Sequence, residues 1–189
     1  MKETLRRQLL DKRTSLPSKD IAEKSRVIQN RLFSFPGFMK AKTVLFYVSY
    51  DNEVCTHEMI KQTVASGKQV AVPWTDKEQK MVTPCLLSCW DDLCIGSYGI
   101  LEPKTTCRKP VLLEHVDVVI VPGVGFDRQG HRLGHGMGYY DKLLHQAPKN
   151  MVKIGLAFEQ QMVDKIPVDT HDVRVAYIVT EHELIDCRG

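Results

Sequence analysis

A glycine-rich segment carries the strongest chemical signal in this 189-residue chain: VPGVGFDRQGHRLGHGMGYYDKLL, with six of the twelve glycines between Gly123 and Gly138. Glycine accepts positive φ angles and lets the main chain approach a ligand closely. Successive exposed amides followed by the start of a helix can form a concave anion site. Arg132 and His135 add side-chain donors, and Arg132 adds a fixed positive charge. The segment therefore predicts an anion-binding loop.

The spacing of these glycines differs from that of the common nucleotide-binding loops. The pattern G-x-x-x-x-G-K-[ST] is absent, and Gly134-x-Gly136-x-Gly138 does not match the dinucleotide pattern G-x-G-x-x-G. A long glycine-rich turn with no ligand is the structural alternative. The Tyr139-Tyr140 pair and the adjacent Arg132 favour a binding site over that alternative.

Basic residues also recur along one face of the predicted first helix. Lys2 and Arg6 are four residues apart, and Arg13 follows seven residues later. Like charges at such spacings repel one another by about a few tenths of a kcal/mol, which a bound polyphosphate would offset. The alternative is an ordinary basic face in contact with solvent.

Overall composition narrows the class of protein. The 26 Lys and Arg exceed the 23 Asp and Glu by only three charges, too few to indicate nucleic-acid binding, and no basic stripe carries interleaved aromatic residues. No segment approaches the roughly 20 apolar residues that cross a bilayer, and the charged start at residues 1–7 is unlike a signal peptide. We therefore expect a cytoplasmic protein without nucleic-acid or membrane partners, with one domain over residues 1–189.

The cysteines predict no metal site. None forms a C-x-x-C pair, and their spacing matches no common zinc pattern. We expect free, mostly buried thiols at Cys55, Cys85, Cys89, Cys94, Cys107 and Cys187.

The apolar pattern indicates which elements hold the glycine-rich segment. Residues 1–35 predict two helices separated at Pro17, and residues 81–115 predict short strands and turns. Further helices are expected at 56–65 and 139–146, and strands at Thr43–Ser49, Gln69–Val72, Val116–Val121, Val152–Ala157 and Val173–Val179, with Pro73 closing the second strand. Strands that alternate with helices predict an α/β domain with a largely parallel sheet.

The segment RLGHGMGYYDKLL resembles the signature of the 5-formyltetrahydrofolate cyclo-ligase (methenyltetrahydrofolate synthetase) family. Other pieces follow in that family's order and spacing: KETLRRQLLDKR, FYVSYDNEV, VAVPW, GILEP, VPGVGFDRQGHRLG and IPVDTHDVRVAYIVTE. The resemblance implies a three-layer α/β/α domain similar to the NagB/RpiA/CoA-transferase-like fold. It also implies a monomer that uses ATP as co-substrate and Mg²⁺ as cofactor to cyclise 5-formyltetrahydrofolate, a reduced folate, to 5,10-methenyltetrahydrofolate, with release of ADP and phosphate.

The same resemblance implies roles for individual residues. ATP contacts are assigned to Lys2, Arg6, Arg132, Leu133, Gly134, His135, Gly136, Met137, Gly138, Tyr139 and Tyr140. Folate contacts are assigned to Val48, Glu53, His135, Gly136, Met137, Gly138 and Tyr139. Arg132 and Tyr139 take catalytic roles, and Asp141 and Asp172 hold the metal. The Glu53 carboxylate could accept a forked hydrogen bond from the exocyclic amine and ring N–H of the pterin.

Two positions depart from the family pattern and leave other functions open. Relatives often carry Gly or Lys where this chain has Met137, and an acid where it has Ala176. A non-catalytic relative that binds nucleotide or folate is therefore an alternative. A sugar-phosphate or CoA-ester enzyme on the related fold is another, because fold does not fix function. Glu53 would then be the nearest candidate for a carboxylate nucleophile.

Overall fold

The computed structural model describes residues 1–189, the whole chain. The helices are α1 (Lys2–Thr14), α2 (Ser18–Ser34), α3 (Pro36–Lys40), α4 (His57–Ala65) and α5 (Tyr139–His145). The strands are β1 (Thr43–Leu45), β2 (Gln69–Asp76), β3 (Met81–Leu87), β4 (Leu93–Ile95), β5 (Leu101–Pro103), β6 (Val118–Val121), β7 (Gly125–Asp127), β8 (Arg132–Leu133), β9 (Val152–Leu156), β10 (Met162–Val163), β11 (Tyr177–Val179) and β12 (Leu184–Asp186).

The main sheet has seven strands in the order β12-β11-β9-β6-β1-β2-β3. Its five inner strands run parallel, and the edge strands β12 and β3 pair antiparallel with their neighbours. This arrangement confirms the predicted α/β class with a largely parallel sheet. The prediction of one domain over residues 1–189 and the likeness to the NagB/RpiA/CoA-transferase-like fold stay predictions.

Apolar side chains of the inner strands alternate between two clusters on opposite faces of the sheet. Ile120 of β6 belongs to a cluster with Ile28 of α2 and Ile60 of α4. Its neighbour Val119 belongs to the other cluster, together with Leu144 of α5. Full burial of a side chain of this size contributes about 1.5–3 kcal/mol. Helices thus cover both faces of the sheet, and the central strands are buried on both sides.

Several strands differ in length from the sequence prediction. The strand predicted at Thr43–Ser49 ends at Leu45, although the following residues are buried, and the strand predicted at Val173–Val179 begins only at Tyr177. β2 passes through Pro73 instead of ending before it. Pro73 lies opposite Pro84 of β3. Opposed residues of antiparallel strands alternate between hydrogen-bonded and non-hydrogen-bonded pairs, and two prolines, which have no N–H, form a non-hydrogen-bonded pair. The proline therefore does not interrupt the sheet.

A second sheet, β10-β7-β8, supports the glycine-rich segment. Leu9 of α1 packs here with Val124, Leu133 and Ile166. A Cβ at Gly125 would lie 2.4 Å from a methyl carbon of Leu9, so this close approach requires glycine. Packing against this sheet holds α1 beside the segment that links β8 to α5.

The cysteines are free, as expected, but most of them are not buried. Cys85 and Cys187 are buried, Cys89 and Cys94 are exposed, and the other two are partly exposed. Burial raises the pKa of the Cys187 thiol to about 11. None of the helices is long and apolar enough to cross a bilayer.

Candidate active site

A cavity of about 780 Å³ opens where α1, the glycine-rich segment and the β4–β5 hairpin meet. This volume lies within the range of about 300–1,000 Å³ typical of small-molecule sites. Every residue that the sequence analysis assigned to a site lines the cavity: Lys2, Arg6, Val48, Glu53, Arg132, Leu133, Gly134, His135, Gly136, Met137, Gly138, Tyr139, Tyr140, Asp141 and Asp172. The fold therefore brings together residues that are up to 170 positions apart.

The glycine loop, residues 134–138, runs along one wall of the cavity between β8 and α5. Gly136 has φ = +96° and Gly138 has φ = +71°, conformations that other residues adopt only with strain. The backbone amides of residues 135–138 donate to no acceptor within the protein. Four successive unpaired donors therefore border the cavity, as the anion-binding prediction requires.

The guanidinium of Arg132 is directed at a carboxylate. Arg132 is only 8% exposed. Its Nη2 donates a 2.6 Å hydrogen bond to Oδ1 of Asp141, and its Nη1 donates to the Pro122 carbonyl at 3.4 Å. Its Nε is buried without a partner. A Cβ at Gly134 would lie 2.8 Å from Nη1 of Arg132, so glycine also makes room for this side chain.

The basic face of α1 is turned toward the protein and is not a solvated face. Nζ of Lys2 lies 2.6 Å from Oδ2 of Asp169 and 2.6 Å from Oδ2 of Asp172. Nε of Arg6 donates to the Gly134 carbonyl at 2.8 Å. Arg13 is 3% exposed and lies near Glu53, outside the cavity lining. Each cation of this face thus has a specific acidic or carbonyl neighbour.

The acidic loop, residues 169–172, lies against the start of α1 and lines the cavity. Ligand atoms of Asp169, His171 and Asp172 all lie within 4.8 Å of one another. Partial burial opposes the charged form of Asp172, but hydrogen bonds from Lys2 and from the Asp169 amide hold its pKa below the ordinary value. Sequence reasoning missed Asp169 and His171. Their proximity to Asp172 in the run DTHD was the available signal.

Glu53 also lines the cavity and lies in the turn that follows β1. Its Oε2 accepts a hydrogen bond from the Tyr50 amide at 3.1 Å. Its Oε1 lies 3.6 Å from Nη1 of Arg13 and 3.7 Å from Nε2 of His135. Burial, with the nearby Glu53 charge adding to it, raises the pKa of the Tyr47 hydroxyl. Because its side chain is 11% exposed and lines the cavity, the Glu53 carboxylate is available to a ligand in a poorly hydrated part of the cavity.

The two tyrosines that begin α5 take different positions. The Tyr139 hydroxyl lies 3.2 Å from the Tyr98 hydroxyl, at the tip of the β4–β5 hairpin. Tyr140 packs against both apolar clusters, and its buried hydroxyl has no hydrogen-bond partner. Burial raises the pKa of Tyr140 far above its ordinary value. Sequence reasoning missed Tyr98, which lies in the segment predicted only as short strands and turns.

The two departures from the family pattern lie in different places. Met137 is half-exposed at the rim of the cavity. Ala176 does not line the cavity; it packs against the apolar cluster under α2 and α4, and its amide donates to the Lys153 carbonyl. Of the two, only Met137 can contact a ligand directly.

Comparisons with known proteins show which family the chain resembles. Residues 1–181 match the model of the 5-formyltetrahydrofolate cyclo-ligase family. The chain is 30% identical to a 5-formyltetrahydrofolate cyclo-ligase of Escherichia coli (strain K12), over 89% of this chain and 94% of that protein. It is 28% identical to the Mus musculus protein of the same description, over 95% of this chain and 93% of the mouse protein.

A solved structure shares both fold and sequence with the chain. The NMR structure of Aquifex aeolicus 5,10-methenyltetrahydrofolate synthetase aligns with a TM-score of 0.87 and 32% identity. The alignment covers 100% of this chain and 93% of that one. With the family model matched over nearly its whole length and its predicted site residues gathered in one cavity, the chain belongs to the 5-formyltetrahydrofolate cyclo-ligase family, a family of ligases.

Proposed function

We propose that the protein cyclises 5-formyltetrahydrofolate to 5,10-methenyltetrahydrofolate and converts one ATP to ADP and phosphate in each turnover. The observation that carries this proposal is the row of unpaired amides at residues 135–138, which shares one cavity with Lys2, Arg6 and Glu53. Amides and cations suit a polyphosphate, and the carboxylate suits a heterocycle with N–H donors.

The chemistry calls for positioning more than for a covalent nucleophile. The oxygen of a formamide is a poor leaving group, so the γ-phosphoryl group of ATP is first transferred to it, and ADP leaves. The neighbouring nitrogen of the folate then attacks the activated carbon, the carbon–oxygen bond breaks and phosphate departs. Such a sequence gains most from correct alignment and from stabilisation of charge around the phosphates.

The triphosphate would lie along the glycine loop. The free amides of residues 135–138 would donate to its oxygens, and Arg6, whose Nε is bonded to the Gly134 carbonyl, would place its remaining donors beside the loop. Tyr139 begins α5 at the end of the loop, where its hydroxyl can donate to a phosphate or to the formyl oxygen. Arg132 would then act mainly by fixing Asp141.

The folate would bind on the side of the cavity near Glu53. The Glu53 carboxylate would accept a pair of hydrogen bonds, one from the exocyclic amine and one from the ring N–H of the pterin. Val48 and Tyr47, both buried and both part of the lining, would contact the flat ring. His135 and Met137, at the rim, lie where the folate and the triphosphate would meet.

Asp141 and Asp172 have the right chemistry for magnesium. Each lines the cavity and uses a single carboxylate oxygen in hydrogen bonds to the protein, so its other oxygen has no protein partner. Hard oxygen ligands together with phosphate oxygens and water are the usual surroundings of Mg²⁺. When bound there, Mg²⁺ would balance negative charge on the phosphates. A cytoplasmic monomer with only small-molecule partners is part of the same proposal.

The direct test is a turnover assay with purified protein, 5-formyltetrahydrofolate, ATP and Mg²⁺. We expect ADP and the methenyl product to appear in equal amounts, with the methenyl product measured by its absorbance. Tetrahydrofolate is the matched control, because without a formyl oxygen it should release no ADP. If 5-formyltetrahydrofolate also releases no ADP above background, the proposal fails. Thermal stabilisation by ATP or folate without turnover would instead support a non-catalytic relative.

A further inference from the structure

Arg13 is the most deeply buried cation near the cavity. It lies in the last turn of α1, and its whole residue is 3% exposed. Its Nε and Nη1 are buried without a hydrogen-bond partner, and its closest acidic neighbour is Oε1 of Glu53, 3.6 Å from Nη1. Burying a charged group with unpaired donors costs stability. Hydrogen bonds within the protein therefore do not explain why the Arg13 side chain is buried at this position.

The turn that carries Glu53 does not depend on the Arg13 side chain for its shape. Asn52 donates to the main-chain carbonyls of Arg13 and Thr14, at 3.4 and 3.1 Å. Within the turn, the Glu53 amide donates to the Tyr50 carbonyl, and the Tyr50 amide donates to Oε2 of Glu53. The Asn52 side chain thus fixes the turn to the end of α1, the other two bonds shape the turn itself, and none of them uses the Arg13 side chain. The guanidinium itself is therefore free to serve another purpose.

Of the cations within 4 Å of the Glu53 carboxylate, only Arg13 combines burial with a permanent positive charge. Tyr50 lies on the same turn, Tyr47 follows β1, and Tyr140 belongs to α5; all three are neutral when protonated. His135, on the glycine loop, is exposed at the rim. A permanent charge within about 4 Å balances the carboxylate where water has little access.

The distance of 3.6 Å between Nη1 of Arg13 and Oε1 of Glu53 leaves the carboxylate oxygen free for a ligand. It is too long for a strong hydrogen bond, so Oε1 of Glu53 keeps its capacity to accept hydrogen bonds from a ligand. Glu53 lines the cavity and Arg13 does not, so the guanidinium lies behind the carboxylate as seen from the ligand. This arrangement balances charge without competing for the acceptor.

We propose that Arg13 is a positioning residue for the heterocycle: it balances the charge of Glu53 from behind and leaves Oε1 free to accept a ring N–H or amine. The ligand class is a flat heterocycle with adjacent N–H donors. The inference rests on the proposed function, because Glu53 must contact the pterin for Arg13 to act through it.

The test is a double-mutant cycle read by direct binding. The dissociation constant of 5-formyltetrahydrofolate is measured by calorimetry for the wild type, Arg13→Met, Glu53→Gln and the double variant. Arg13→Met and Glu53→Gln should each weaken binding by about tenfold, and in the double variant the loss of Arg13 should add less than about twofold to the effect of Glu53→Gln. Arg13→Lys should recover part of the affinity, because it restores the charge.

Two further readouts separate positioning from a structural role. For Arg13→Met, KM for the folate should rise about tenfold while kcat changes less than about threefold. The thermal midpoint should fall for Arg13→Met, which leaves a poorly hydrated carboxylate unpaired, and recover in the double variant. If Arg13→Met does not fold, the dissociation constants of Glu53→Gln and the double variant are compared, and this comparison tests the inference.

Each outcome has a distinct meaning. Equal affinities for Glu53→Gln and the double variant support the inference. Additive losses, or an Arg13→Met variant that binds as the wild type does, overturn it. If the wild type binds the folate without turning it over, the proposed function is wrong, but the double-mutant cycle still tests the role of Arg13 in binding. A wild type that does not bind the folate overturns both.

Discussion

Nη2 of Arg132 and Oδ1 of Asp141 lie 2.6 Å apart and join the two ends of the glycine loop. Arg132 belongs to β8, immediately before the loop, and Asp141 belongs to the first turn of α5, immediately after it. The Arg132 side chain is almost fully buried. This ion pair therefore constrains the loop that carries the unpaired amides, before any ligand arrives.

Removing either member of this pair should reduce catalysis sharply. Arg132→Ala and Asp141→Ala are each expected to lower kcat/KM by about a hundredfold or more, because the loop amides lose their fixed geometry and Asp141 is a proposed metal ligand. Steady-state kinetics measure this effect, and circular dichroism checks that both variants remain folded. Near-normal rates in both would show that the pair has no role in the reaction.

Gly138 should matter for its backbone conformation rather than for space. A Cβ there would meet nothing within 4 Å, but φ is +71°, so Gly138→Ala should destabilise the fold by about 1–2 kcal/mol. If the loop relaxes instead, the row of amides is disturbed and KM for ATP should rise.

Gly67 offers a matched control for this substitution. It has φ = +85° with equally open surroundings and does not line the cavity. Gly67→Ala should cost similar stability, measured by denaturant unfolding, and leave KM for ATP unchanged. Equal kinetic effects of the two substitutions would contradict a specific role of the glycine loop.

Met137 should tolerate a positive charge and benefit from it. It is 50% exposed at the rim of the cavity, beside the proposed phosphate site. Met137→Lys is expected to lower KM for ATP by about two- to fivefold at low ionic strength, in keeping with the modest energy of exposed charge pairs. Met39→Lys, at an exposed position outside the cavity, should have no effect. An unchanged KM in Met137→Lys would place the phosphates elsewhere.

The contact between Lys2 and Asp172 should give stability that depends on pH in a defined window. The folded-state pKa of Asp172 is lowered from 3.8, so its contribution is present above that value and is lost as pH falls through the lower folded value. Although desolvation opposes its charged form, the hydrogen bonds to Asp169 and Asp172 raise the pKa of Lys2 above 10.5. Its contribution is therefore present below pH 10.5 and is lost as pH rises through the higher folded value.

Unfolding of Lys2→Met and the wild type, compared at several pH values, measures this window. The difference in unfolding free energy should be constant from about pH 5 to 9 and should shrink in strong acid and strong alkali. A difference that is the same at pH 2 and pH 7 would mean that the contact adds no stability.

Much of the cavity lining could be predicted, partly from signals that are local in the sequence and partly from the resemblance to the family. The glycine loop, the Tyr139-Tyr140 pair and Asp141 lie within a few residues of one another, and the spacing of Lys2, Arg6 and Arg13 already marked one helical face. The short apolar runs in the sequence also identified the inner strands of the main sheet. The partners of these groups could not be predicted, because the spacing of residues on one helical face carries no information about which distant residues pack against that face.

The wrong strand end at Pro73 and two contacts that were not predicted have specific physical causes. Pro73 did not end β2, because the residue opposite it is also a proline at a position without inter-strand hydrogen bonds. Arg132 contacts Asp141 because the glycine loop brings the first turn of α5 beside β8, which no spacing rule reveals. Arg13 came out buried because the turn after β1 closes over the end of α1. All three depend on contacts between elements.

Backbone amide shifts test the central claim most directly. The ¹⁵N-labelled protein is titrated with a non-hydrolysable ATP analogue and Mg²⁺, and the amide resonances of His135, Gly136, Met137 and Gly138 are followed. We expect the largest shift changes in the molecule at these four amides, because they have no protein acceptor and would donate to the phosphates. Unchanged resonances there, with changes elsewhere or none at all, would contradict the account.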